Sequence, residues 1–314
     1  MNTRAELEPG LVTVVVTTYN RAGMVPRAIR SVLAQTYARI DCLVVDDGST
    51  DDTSRVLKEI ADPRVRVVRH EKNRGATSAK NTGLDHLRGE WFTFVDSDDE
   101  IVPEAIETLV GVALANPGIT QVECNCVDAG SGRFTGSEVS PGGPIEAAAI
   151  ANTHGDHWGI IGSSLVGSDR FNERLPGYEE VLWFKVRERA RIYYLDRGLK
   201  IVHRGGGDRL SQSEWTRAQA AAVYRELVNE PHWLRLHAAY RPADYPGFCL
   251  QGLLHTLAAG DRESARAYDA LIGRLDSPGK VRIAASAVKL SGPAGARAAL
   301  GALRLLKSLK RSRH

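Results

Sequence analysis

Four short apolar runs, at residues 11–18, 40–45, 65–68 and 91–95, alternate with stretches whose apolar residues recur at helical spacing. No other feature constrains the fold as strongly. A run such as LVTVVVTT places apolar side chains on both faces, which suits a strand covered on both sides. Residues 25–35 and 75–87 carry helical periodicity. So does the segment bearing Val56, Leu57 and Ile60, with Ser49, Thr50 or Asp51 available as its cap. Strand and helix in this rhythm predict an α/β chain built on a mostly parallel sheet flanked by helices. In such sheets ligands bind beyond the carboxyl ends of the strands. The loops that open at Tyr19, Asp46 and Asp96 all follow strands, so they should share one edge.

Residues 119–209 are less regular. They hold a glycine-rich connection at 128–143, then GIIGSSLVG, then PGYEEVLWFKVRERA with helical periodicity. Beyond residue 211 the pattern is helical throughout, at 215–228, 247–259, 262–275 and 281–309, and the Gly260-Asp261 break predicts a helical hairpin. The expected organisation is a ligand-binding domain over 1–210 and a helical C-terminal region over 211–314.

Composition serves mainly to exclude. A hydrophobic fraction of 43% and a charged fraction of 25% are those of a globular protein, and a net charge of +3 points to no nucleic acid partner. The four cysteines, Cys42, Cys124, Cys126 and Cys249, fit no disulfide framework, and Cys124-x-Cys126 lacks the further ligands of a zinc site. Residues 1–10 are polar and acidic, unlike a signal peptide, and no apolar run approaches the roughly 20 residues of a membrane span. A cytoplasmic location is expected. From residue 277 onward there is no acidic side chain, while basic residues from Lys280 to Arg313 alternate with leucines from Leu300 to Leu309. Two readings fit: a helix packed on the ligand-binding domain with a solvated basic tail, or a peripheral contact with the inner face of a membrane.

The stretch FVDSDDEIVP sets the functional question, because Asp96, Asp98, Asp99 and Glu100 crowd four carboxylates into five positions. A helix N-terminus near Pro103 would favour Asp99 and Glu100 but does not account for Asp96, which closes an apolar strand. A calcium loop fails, since its sixth position requires glycine and here is Ile101. An Asp-x-Asp site holding a divalent cation that bridges a diphosphate remains open.

The segments TTYNR, VDDGSTDDT, NRGATSAKNTGL and FVDSDD, in that order at strand ends, resemble the inverting family 2 glycosyltransferases with the GT-A fold. The resemblance covers residues 11–209. It implies a UDP-sugar donor and transfer with inversion to an acceptor hydroxyl on a glycan, a lipid-linked molecule or another carrier, as in bacterial cell-surface glycan synthesis. It implies that Thr18, Tyr19 and Asn20 lie at the nucleotide, with the Tyr19 ring against uracil. Asp47 would accept the base N3–H, Asp46 would support the loop, and Gly75 would let the backbone approach. Lys80 stands where the family often has arginine. Asp96 and Asp98 would hold Mn²⁺ or Mg²⁺, with Ser97 between them, Asp96 also near the ribose or sugar, and His203 a further ligand.

The same resemblance implies a general base. The family places an aspartate in an acidic pair ahead of an aromatic-rich helix. Setting GYEEVLWFKV against that pattern without gaps puts Glu179 at the aspartate, whereas matching the pair by type selects Glu180. The loop HGDHWGI, with His154, His157 and Trp158, falls where an acceptor would bind. The competing readings are a nucleotidyltransferase, for which TTYNRAG lacks the glycine-rich basic phosphate loop, and a nucleotide-sugar-binding scaffold without activity.

Overall fold

The computed structural model describes residues 6–137, 139, 142–204, 216–275 and 279–311, with backbone only from 303 onward. The chain divides into two compact units, Met1–Asp208 and Arg209–His314. The boundary expected at 210/211 lies outside the described residues.

In the first unit β1 (Glu8–Thr18), β2 (Ile40–Asp46), β3 (Val65–Arg69) and β4 (Gly89–Asp96) pair in parallel in the order β3-β2-β1-β4. The β1 run Val14, Val15 and Val16 is fully buried because helices cover both faces. On one side Val14 and Val16 pack with Ile29 and Val32 of α1 (Val25–Leu33). The second link is α2 (Thr53–Lys58). On the other side Val15, Leu43 and Val45 meet Ala79 of α3 (Ala76–Asp85). A Cβ at Gly83 would lie 2.5 Å from Val15 Cγ1, so glycine permits that close approach. The capping expectation for α2 needs correction. Asp52 occupies the cap position without a side-chain bond, while Asp51 accepts from the Thr53 amide at 2.9 Å.

The second half of this unit departs from the parallel pattern. After β5 (Glu100–Ile101) and α4 (Ala105–Ala115) come β6 (Gln121–Asp128), β7 (Gly143–Ile145), α5 (Ala147–Ala151), β8 (His157–Gly162) and α6 (Ser163–Val166). The last elements are α7 (Glu180–Arg189) and β9 (Ile192–Val202). β8 inserts antiparallel between β4 and β6, and β9 runs parallel to β6. β5 and β7 each pair antiparallel with β9, completing a nine-stranded mixed sheet. This topology brings β8 and β9 beside the end of β4, where the acidic stretch begins.

The second unit consists of α8 (Arg217–Val228), α9 (Pro231–Tyr240), α10 (Tyr245–Ala258), α11 (Arg262–Gly273) and α12 (Gly279–Arg311). The sequence reading missed α9, and its start for α8 at Trp215 lies outside the described residues. Gly260 at φ 79° and Asp261, whose carboxylate caps α11 by accepting from the Ser264 amide at 3.2 Å, join α10 to α11. α12 is broken at Gly292 (φ 61°), just before Pro293, so the single helix expected over 281–309 is two. Ala296 and Leu300 pack with Leu254 of α10, and Lys289 pairs with Asp269 at 2.8 Å. The described part of α12 thus packs within its own unit, and the expected membrane contact finds no support there. No helix among the described residues is long and apolar enough to cross a membrane.

His237 lies in this unit's aromatic core, its ring centroid 4.7 Å from Trp233 and 5.0 Å from Phe248. Burial, reinforced by Arg241 and opposed by Asp244, pushes its pKa down from 6.5 to about 4. The unfolded chain therefore binds the proton first. Stability from neutral His237 is complete above pH 6.5 and is lost as pH falls toward 4. Thermal unfolding of this unit followed between pH 7 and 4 should show that loss, and His237→Phe should flatten it.

Candidate active site

Parallel pairing aligns the strand ends, with Thr18 opposite Asp46 and Thr17 opposite Asp96. The first two loops then clasp each other. Asn20, in the left-handed region at φ 51°, accepts at its side-chain oxygen from the Thr50 amide at 2.8 Å and donates its own amide to Ser49 Oγ at 2.9 Å. Asn20 is therefore a loop clasp, a role the sequence reading did not anticipate. Tyr19, beside it, is 40% exposed, which leaves its ring open to a ligand. Thr18 is buried, and its hydroxyl has no hydrogen-bond partner among the described residues.

Both acidic residues of VDDGS are buried and organise loops. Asp46 accepts from the Ser49 amide at 2.9 Å and from Arg69 at 3.0 Å. Asp47 accepts from the amides of Arg74 and Gly75 at 2.9 and 2.8 Å and lies 2.6 Å from His70 Nδ1. Three protein groups bind the Asp47 carboxylate, which fixes the segment leading into α3. Gly48 is required here, because at φ 72° a Cβ would lie 2.5 Å from the Lys72 backbone. Gly75, at φ 93°, opens α3 with free space where a Cβ would be.

The acidic stretch is neutralised in a way the sequence did not reveal. Lys200 of β9 lies 2.7 Å from Asp96 and 2.9 Å from Asp99. Burial alone would lower the Lys200 pKa, yet the two carboxylates outweigh it and raise it. Burial drives the Asp99 carboxyl above the usual range, against the pull of Lys200 and with help from Asp96. Ser97, which follows Asp96 in the chain, is buried as well. The signal for Lys200 was present, since GLKIV sets one charge inside an apolar strand pattern.

The expected metal ligands divide between two recesses. Asp98 and His203 border one of about 610 Å³, together with Met24, Arg27, Asp128 and Arg204. Arg21 stands 3.8 Å from the Asp98 carboxylate, and His203 Nε2 lies 2.7 Å from Glu100. Asp96 instead borders a smaller recess of about 180 Å³ with Lys80, Trp158, Glu179, Trp183 and Lys200. Among the described residues no three His, Cys, Asp or Glu side chains converge as a metal site. The set of Asp96, Asp98 and His203 expected from sequence is therefore not assembled, because Lys200 and Glu100 engage two of its members.

The smaller recess also separates the two glutamates. Glu179, at the N-cap of α7, borders it and accepts from Lys80 at 2.5 Å, whereas Glu180 in the first turn does not border it. Lys80, expected at the donor, thus pairs with Glu179 and sits 5.9 Å from the Phe94 ring centroid. His157 and Trp158 line the recess but His154 does not, and Trp158 is a core side chain donating to the Phe94 carbonyl at 2.8 Å.

A parallel half-sheet carrying loops of this kind, completed by a mixed half, is the GT-A architecture. It is shared with the crystal structure of *S. aureus* TarS in complex with UDP-GlcNAc, at a TM-score of 0.63 and 19% identity over 88% of each chain. A mannosyltransferase from *Pyrobaculum calidifontis*, solved with GDP-Man and Mn²⁺, superposes at 0.51 with 18% identity over 88% of this chain and 86% of that one. Residues 13–162 match the glycosyl transferase family 2 model. Among curated relatives, the GalNAc(5)-diNAcBac-PP-undecaprenol beta-1,3-glucosyltransferase of *Campylobacter jejuni* is 30% identical over 60% of this chain and 63% of its own length. The *Escherichia coli* UDP-Glc:alpha-D-GlcNAc-diphosphoundecaprenol beta-1,3-glucosyltransferase WfgD is 36% identical over 34% of this chain and 42% of its own. The chain spans less than two thirds of the length of either relative.

Proposed function

We propose that this chain transfers a sugar from a UDP-sugar to an acceptor hydroxyl, inverting the anomeric centre. The observation that carries the reading is the recess shared by Asp96 and Glu179, in which Asp96 closes β4 opposite Thr17, two residues before the exposed Tyr19. The Tyr19 ring packs on the base, and Asp47 fixes the backbone of 74–75 against the nucleotide. Arg27 and Arg204, bordering the recess of Asp98, meet the negative charge of the diphosphate. Glu179 takes the proton from the acceptor hydroxyl as its oxygen attacks. The names of the *C. jejuni* and *E. coli* relatives support a lipid-diphosphate-linked saccharide as acceptor, hence work in cell-surface glycan synthesis.

The donor chemistry of Asp98 and His203, hard oxygen and imidazole nitrogen on one recess, fits a divalent cation, Mn²⁺ or Mg²⁺. Asp96 fits less well while Lys200 holds it. A bound ion would supply Lewis-acid stabilisation of the charge on the departing diphosphate. Chelation should therefore abolish UDP-sugar turnover, and Asp98→Ala should abolish it with the unfolding midpoint unchanged, because Asp98 is a recess side chain and not core. Full turnover in excess chelator would remove the metal from the account.

A further inference from the structure

Beneath the smaller recess lies a polar group that neither the acidic stretch nor the general base uses. Gln121 and Glu123, two residues apart on β6, both line the recess and are 2% and 5% exposed. Glu123 Oε1 is crowded with donors: Gln121 Nε2, Arg187 Nε at 3.1 Å and Arg187 Nη2 at 3.0 Å. The second carboxylate oxygen, Glu123 Oε2, and the amide oxygen, Gln121 Oε1, have no hydrogen-bond partner among the described residues. A buried acceptor left unmatched costs about 1–3 kcal/mol, and more when it belongs to a carboxylate. Two of them side by side in a core strand would be removed by apolar residues if packing were the only demand. What they lack is a donor, and neither can be matched by a phosphate or by a carbonyl.

We infer that Gln121 and Glu123 are specificity residues whose unmatched oxygens receive hydroxyl groups of a sugar ring in the recess. Arg187, by occupying Oε1 of Glu123, turns Oε2 toward that task. Trp183 and Trp158 border the same space, and an apolar wall beside paired acceptors suits a pyranose, which has apolar C–H faces and equatorial hydroxyls. A site built to accept hydroxyl hydrogens discriminates strongly against sugars that lack them, because the buried acceptors then stay unmatched. This inference rests on the nucleotide-sugar reading given above. The ring could be the transferred sugar or the sugar of the acceptor, and the experiment separates them.

Glu123→Gln and Gln121→Met are both close in shape to the native residues, and each can be followed by calorimetry with four probes: UDP, UDP-glucose, UDP-N-acetylglucosamine, and methyl β-glucoside added to the UDP-saturated protein, all with Mn²⁺. Both variants should bind UDP as the wild type does. Loss of about 10- to 100-fold in affinity for a UDP-sugar would assign the hydroxyls to the donor. The same loss for the methyl glycoside alone would assign them to the acceptor. Gln121→Met removes an unmatched acceptor, so its unfolding midpoint should stay level or rise while sugar binding falls, an opposition that a purely structural role does not produce. Wild-type-like binding of every sugar probe by both variants, or binding losses that only follow a lowered midpoint, would overturn the inference. Failure of the wild type to bind UDP or any UDP-sugar would instead overturn the nucleotide-sugar reading itself.

Discussion

Glu179→Gln is expected to lower sugar transfer by at least about 10²-fold, the loss typical of a missing general base, while UDP-sugar binding stays close to wild type. The amide keeps the shape of the side chain but cannot take a proton from the acceptor. The helix should not suffer, because Glu179 makes no side-chain capping bond at the start of α7. Glu180→Gln serves as the internal control, since Glu180 does not border the recess, and its turnover should remain within a few-fold of wild type. Steady-state transfer measured beside donor affinity for both variants separates the two. A collapse of turnover in Glu180→Gln alone would show that the acidic pair matches by type, and that the ungapped alignment misplaces the base.

The second large effect is one of stability. Lys200→Met should destabilise the first unit by about 3–5 kcal/mol, as removal of one partner from a buried ion pair generally does. The lysine is 8% exposed and holds two carboxylates, one of them, Asp99, itself buried. Its raised pKa means that the folded state keeps the proton more tightly than the unfolded chain, so its stabilising effect is fully present below about pH 10.5 and is lost only as pH rises beyond that. Asp99 behaves in the opposite sense. Its folded carboxyl is raised above the unfolded value of 3.8, so its ionisation opposes folding as pH climbs from there. Without Lys200 that opposition grows. Denaturant unfolding of Lys200→Met should therefore show a deficit that narrows on acidification toward pH 4, and adding Asp99→Asn should recover part of it at pH 7. A variant as stable as wild type at pH 7 would mean that water, not Lys200, neutralises the acidic stretch.

These expectations show where sequence and structure part company. β1, β2 and β4 were legible because a strand covered on both faces must be apolar throughout, and VTVVV admits no other reading in that context. β3 is an edge strand with partly or fully exposed side chains, which is why its run at 65–68 admits Arg66. The loops were legible as a set, because Asp46, Asp47 and Gly48 combine turn chemistry with a fixed position after a strand. The antiparallel insertion of β8 was not legible. Its pairing with β4 joins Phe92 to Ile161, and nothing local in HWGIIG states which neighbour it will take.

The same non-locality hid Lys200 from the acidic stretch it neutralises. Four crowded carboxylates implied a cation, and the chain supplies one of its own about a hundred residues later. Between Glu179 and Glu180 the ungapped match favoured the first, and the structure adds that Glu179 borders the recess while Glu180 does not. α9 was missed because PHWLRLHAAY mixes apolar, basic and histidine residues too evenly for its periodicity to stand out, although Pro231 at its first turn marks a helix start.

Release of UDP is the most direct test of nucleotide-sugar chemistry at the carboxyl edge of the sheet. Wild-type chain and Glu179→Gln would be incubated with a panel of UDP-sugars, Mn²⁺ and an undecaprenyl-diphosphate-linked saccharide, and free UDP followed with time. Acceptor-dependent release from at least one UDP-sugar is expected of the wild type, suppressed about 10²-fold or more in Glu179→Gln. No release from any UDP-sugar, together with no calorimetric binding of UDP, would contradict it.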